Sequence, residues 1–132
     1  MKVSQDGLRG LLLTGIVELT FVRRHPKGGW SDVRRMLCTN SRELLTSIAG
    51  RIALKFRPPS HTPSYPAAQY GLVTAWDLLW QDYRQIDTRS CQVVAVIPLK
   101  TQNDIEDFWR YFNDVLQKMT PDMKEKFMDN RQ

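Results

Sequence analysis

The sequence predicts an α+β domain: a small five-stranded antiparallel β-barrel, preceded by a short helix and followed by one or two helices packed on it. Three observations predict it. Five short segments carry strand-type alternation or β-branched runs between Gly, Pro and polar breaks. One stretch before them and one after repeat apolar residues at intervals of three and four, the helical period. The chain has 132 residues, 42% of them hydrophobic, which suits one domain able to bury a core without metal or disulfide staples.

Ser4 to Leu13 reads as the first helix, with Leu8, Leu11 and Leu12 on one side and Gly15 as its stop. Residues 16–24 alternate, Val17, Leu19 and Phe21 pointing one way and Glu18 and Thr20 the other. His25-Pro26-Lys27-Gly28-Gly29 is a turn, so residues 16–39 form a hairpin whose second strand is 30–39. Asn40-Ser41-Arg42-Glu43 carries a capping-box pattern and opens a helix over 41–49 closed by Gly50. Ile52–Phe56 offers an optional short pairing segment outside the five strands, followed by an irregular Pro-rich loop over 57–70. Three strands follow at 72–80, 83–87 and 92–97. The last is apolar on both faces and needs a cover. The helix 104–116, with Ile105, Phe108, Trp109, Phe112 and Leu116 on one stripe and Asn103 and Glu106 as its capping signal, is expected to supply it. Thr120-Pro121 opens a second short helix carrying Met123 and Phe127. The single domain thus divides into an N-terminal helix (1–15), the barrel (16–98) and a helical extension (99–132).

Charge is uneven. Residues 1–60 carry eleven Lys and Arg against four acids, residues 61–102 balance, and residues 103–132 hold five bases and seven acids. A basic front half points to an anionic partner. No apolar run approaches the ~20 residues that cross a bilayer, and the first residues lack a signal-type apolar stretch. The two cysteines, Cys38 and Cys91, read as free thiols in a reducing compartment. The expected location is cytoplasmic, with no membrane partner.

The order of these segments carries a resemblance. Gly15-Ile16-Val17-Glu18-Leu19-Thr20-Phe21, the basic turn, and Arg34-Arg35-Met36-Leu37-Cys38-Thr39 resemble the opening hairpin of small WYL-like proteins of bacteriophages. Val73-Thr74-Ala75-Trp76-Asp77-Leu78 resembles that family's Trp-containing strand, Trp80-Gln81-Asp82-Tyr83-Arg84 its Trp-x-x-aromatic-Arg step, and Val93–Ile97 its last strand. The resemblance covers residues 7–98. It implies an SH3-like or Sm-like barrel, a phage origin with a host-cell cytoplasmic location, and a site for nucleic acid or a nucleotide-like anion. Gln81 stands where the fuller WYL domain has a further arginine, so Arg84 alone of the family's site arginines is implied here.

Three groups compete for function. The first is the basic hairpin: Arg23, Arg24, Lys27, Arg34 and Arg35, with His25 and Trp30 at the turn. Guanidinium forks suit phosphate oxygens, and an exposed Trp offers a face to a base. Antiparallel pairing brings the two arginine pairs to one end, so five cations are expected to face one partner. The bland alternative is a solvated tip that protects a sheet edge. A second basic strip, Arg51, Lys55 and Arg57, leads into a loop with His61, Tyr65 and Tyr70 and extends the same groove unless the loop is mere insertion. The third is Arg84, which either meets a ligand or is neutralised by Asp77 or Asp87, while Trp76 and Trp80 read as core. Catalysis finds no support: His25 and His61 lack metal-spaced partners, the cysteines lack C-x-x-C spacing, and no phosphate loop or nucleophile elbow is present. The expected function is therefore non-enzymatic nucleic-acid binding, with no metal and no cofactor. The alternative is a protein-binding effector that docks on a host or viral protein through the long loop or the C-terminal helices, using Trp109, Tyr111 and Met123. The nucleic-acid type and the oligomeric state stay open.

Overall fold

The computed structural model of the chain describes residues 2–22, 33–54 and 71–128. Helix α1 (Gln5–Thr14) starts where Ser4 Oγ accepts from the Gly7 N–H, and its one-sided Leu8 and Leu12 are fully buried. The chain then enters β1 (Gly15–Val22), which pairs antiparallel with β2 (Val33–Thr39), so the sequence-read hairpin forms, its turn lying outside the described residues.

The segment after the hairpin differs from the expectation. Instead of one helix over 41–49 there are two, α2 (Arg42–Thr46) and α3 (Ile48–Ala53), because Ser47 breaks the first and caps the second, its Oγ accepting from the Gly50 N–H at 3.0 Å. Ile52 and Ala53 are therefore helical and no strand begins at 52. Gly50 sits inside α3 and does not close α2. A β-carbon there would stand 2.5 Å from the Leu44 carbonyl oxygen and 2.9 Å from Trp109 Nε1, so glycine permits the close approach of three elements.

Strands β3 (Leu72–Asp77), β4 (Asp82–Asp87) and β5 (Gln92–Pro98) complete a five-stranded antiparallel sheet of order β4-β3-β2-β1-β5. The third strand stops at Asp77, three residues earlier than its alternation suggests. The Asp77 carboxylate accepts the N–H groups of Leu79 (2.9 Å) and Trp80 (3.0 Å) and turns the chain, with Gln81 at φ 55° completing the reversal. The sheet does not close into a barrel: β4 and β5 are its two edges and share no ladder among the described residues.

Closure is unnecessary because each face has its own cover. On one, Val17, Leu19, Phe21, Met36, Cys38, Val73, Ala75 and Ile86 pack with Leu8 and Leu12 of α1. On the other, Ile16 and Trp76 pack with Leu44, Leu45 and Leu78 and with Ile105, Trp109 and Phe112 of α4 (Gln102–Lys118). Helix α4 opens on a capping box formed by Thr101 and Asp104, two residues before the expected Asn103–Glu106 pair. Thr120 then accepts from the Met123 N–H at the start of α5 (Pro121–Met128), as its Thr-Pro signal predicts.

Helix α4 does not cover β5. Val94, Val96 and Ile97 remain exposed, since β5 is an edge strand and α4 turns toward α3 and Trp76. The edge is managed in another way: a bulge beside Val94 breaks its register with β1, and Lys2 bridges to Gln92 at its start. No helix among the described residues is long and apolar enough to cross a membrane.

Candidate nucleic-acid interface

The period of a strand decides the geometry of the two hairpin arginines. Arg34 lies opposite Phe21 and Arg35 opposite Thr20, so the two side chains leave β2 on opposite faces. Arg34 shares the α1 face with Met36 and Cys38. Arg35 is on the other, its guanidinium carbon 5.2 Å from the centre of the Phe127 ring of α5. Five cations on one surface are thus reduced by at least one. Arg23, Arg24, His25, Lys27 and Trp30 lie outside the described residues.

Arg34 is unusual in its surroundings. It is half-buried, and its Nε is inaccessible with no hydrogen-bond acceptor. Every other arginine among the described residues has a partner: Arg9 with Asp6, Arg84 with Asp77, Arg89 with Asp87, Arg110 with Asp107, Arg51 with the Thr46 carbonyl, and Arg35 and Arg42 with interactions of their own. A part-desolvated guanidinium whose Nε lacks an acceptor carries a desolvation cost that no hydrogen bond offsets.

Arg84 belongs to the protein itself. It projects beside Ala75 on the α1 face, opposite in direction to Tyr83, whose ring meets Trp76 edge-on at 5.1 Å. Its Nε donates to Asp77 Oδ2 at 3.0 Å, with the Asp77 side chain 2% exposed and the Arg84 side chain 32%. Of the two acids weighed in the sequence, Asp77 neutralises Arg84, while Asp87 holds Arg89. Burial pushes the Asp77 carboxyl above its ordinary value, against the opposing pull of the Trp80 N–H, the Arg84 charge and the Leu79 N–H.

The remaining candidates separate. Arg51 lies exposed in the last turn of α3, its Nε donating to the Thr46 carbonyl at 3.1 Å. Lys55, Arg57, His61, Tyr65 and Tyr70 lie outside the described residues. Trp109 is 1% exposed and donates from Nε1 to the Leu44 carbonyl at 2.9 Å, so it is core and offers no docking surface. Tyr111 and Met123 do remain exposed. Trp76 is core as read, and Trp80 is half-buried beneath Lys124, 5.6 Å above its ring.

Both cysteines are buried. Burial, with the nearby Asp77 and Cys91, pushes the Cys38 thiol well up, and burial pushes Cys91 up to about 11. Both are protonated at neutral pH, which removes their nucleophilicity. Among the described residues no cluster of His, Cys, Asp and Glu has the makings of a metal site.

Sequence reasoning missed one feature. Ile48 and Ile52 stand exposed at i and i+4 of α3, while the smaller Ala53 faces inward. A Ser-x-x-Gly cap at Ser47 was the signal that would have placed them. No protein-family model, curated protein or solved structure matches this chain.

Proposed function

We propose that the protein is a non-catalytic nucleic-acid-binding module that takes the phosphate backbone at the turn end of the β1–β2 hairpin, on the side of β2 from which Arg34 projects. Arg34 carries this reading: it is the arginine whose buried Nε lacks an acceptor. Leaving a buried donor unsatisfied costs about 1–3 kcal/mol, more when it is charged, and a phosphate would meet the part of this half-buried guanidinium that solvent reaches. The basic balance of residues 1–60 supports an anion there, with Arg23, Arg24 and Lys27 as the other cations and Trp30 as a stacking face for a base. Arg35 and Arg84 are not part of this site, because Phe127 and Asp77 hold them. The scaffold of this reading is the open five-stranded antiparallel sheet, in place of the closed barrel that the WYL-like resemblance implies.

A second reading, docking on a host or viral protein, keeps Tyr111 and Met123 as exposed apolar contacts of the C-terminal helices. A pull-down from bacterial lysate, with and without nuclease, separates the two. Nucleic acid that co-purifies, and whose removal strips the other recovered proteins, is the expected result. A protein partner that survives nuclease treatment, with no bound nucleic acid, transfers the function to the C-terminal helices.

A further inference from the structure

Helix α3 is a six-residue helix with an inward and an outward side. Gly50 and Ala53 are buried, whereas Ile48 is 82% and Ile52 55% exposed. Scattered exposed apolar residues need no explanation, but these two stack on one face beside a concavity. A groove of about 360 Å³ runs between α3 and α4, with the half-buried Ala49 and the exposed Ile52 as its apolar wall, the nearly inaccessible Trp109 behind them, and Glu106, Arg110 and Asn113 around it. A knob, Ile48, therefore stands next to a hole of matching chemistry.

Glu106 lines the groove, and Arg51, on α3 but outside the lining, carries the opposite charge. Among the described residues, Arg51, exposed in the last turn of α3, has no acid partner, and Glu106, exposed on α4, has no cation partner. Arg110 is already paired with Asp107. A surface that holds a knob and a hole, and an unpaired cation and anion, is self-complementary, which is the requirement of an isologous two-fold interface.

We infer that this face binds a second copy of the chain across a two-fold axis. Ile48 of each copy enters the α3–α4 groove of the other, and Arg51 of each meets Glu106 of the other. A contact built from one six-residue helix and one side of α4 falls at the low end of the roughly 800 Å² per partner of a standard interface. The dimer is consequently one that dissociates on dilution.

Analytical ultracentrifugation over about 1–200 µM tests it, a range that brackets a weak, concentration-dependent association. The wild-type mass should rise from one chain toward two. Ile48→Asp should raise the dissociation constant at least about tenfold, as expected for a central apolar contact. Arg51→Glu and Glu106→Arg should each give monomers, since each faces like charge across the axis. Mixing the two single variants should restore association, and so should the double variant, because opposite charges then meet again. Circular dichroism confirms that these exposed-site variants stay folded. A wild-type chain that is monomeric at every concentration overturns the inference, whatever else the face binds. So does a dimer indifferent to Ile48→Asp, or a mixture that fails to associate.

Discussion

Replacing Arg84 by Leu distinguishes a ligand-binding arginine from one that serves the fold. In the structure Arg84 Nε donates to the nearly inaccessible Asp77, which also holds the Leu79 and Trp80 N–H groups. Removing one member of a buried pair costs about 3–5 kcal/mol, because the other charge is stranded. Arg84 is about one-third exposed, so solvent reaches the pair and the lower end applies, near 3 kcal/mol. For a domain whose total stability is about 5–15 kcal/mol, that is a large fraction. The loss should depend on pH in a defined direction. Burial already raises the Asp77 carboxyl, and without Arg84 it rises further. A raised carboxyl contributes stability that is fully present below its unfolded value and lost as pH rises through the folded one. The Arg84→Leu penalty should therefore be small in acid and grow toward neutrality, and adding Asp77→Asn should recover much of it at neutral pH. Urea unfolding followed by tryptophan fluorescence across that pH range reads wild type and both variants. An Arg84→Leu chain within about 0.5 kcal/mol of wild type at every pH, the behaviour of an ordinary surface change, refutes the assignment of Arg84 to Asp77.

Two glycines give opposite expectations. Gly50→Ala presses a β-carbon onto the Leu44 carbonyl and Trp109 Nε1, and should cost about 1–3 kcal/mol by thermal or urea unfolding. Gly10→Ala, in α1 with nothing within 4 Å of the added carbon, should instead stabilise by roughly 0.4–1 kcal/mol in the same assay. Asp104 receives the N–H groups of Lys100 and Thr101, and these hydrogen bonds hold its carboxyl below the usual range. Its contribution is present above the ordinary carboxylate value and lost as pH falls through the depressed one, so the stability gap between wild type and Asp104→Asn should narrow in acid.

The parts of the fold that a short-range period controls were legible in the sequence. The alternation of Val17, Leu19 and Phe21 marked β1, and Ile105, Trp109 and Phe112 marked the buried stripe of α4. What misled was local polar chemistry overriding a period. The alternation of Leu72 to Trp80 continues past Asp77, but that carboxylate takes two backbone N–H groups and ends the strand. Ser47 likewise splits a helical pattern that looked continuous. The cover of β5 was misjudged because an apolar run states that a strand is hydrophobic, not where in the sheet it lies, and β5 lies at the edge. At the candidate site, the separation of Arg34 from Arg35 was available in principle, since adjacent strand residues face opposite ways. The unsatisfied Nε of Arg34 was not, because it depends on which acceptors the fold brings near.

The central claim rests on Arg34, and fluorescence anisotropy of short labelled duplexes across a series of salt concentrations tests it most directly. If Arg34 acts with Arg23, Arg24 and Lys27, affinity should fall with salt at a log–log slope of roughly −3 to −4, about 0.9 per neutralised phosphate. Arg34→Ala should weaken binding and make the slope shallower by about one. Arg35→Ala, which changes the opposite face of β2, should leave the slope where it was. Binding of equal strength and slope in wild type and Arg34→Ala, or a larger effect from Arg35→Ala, would contradict the account.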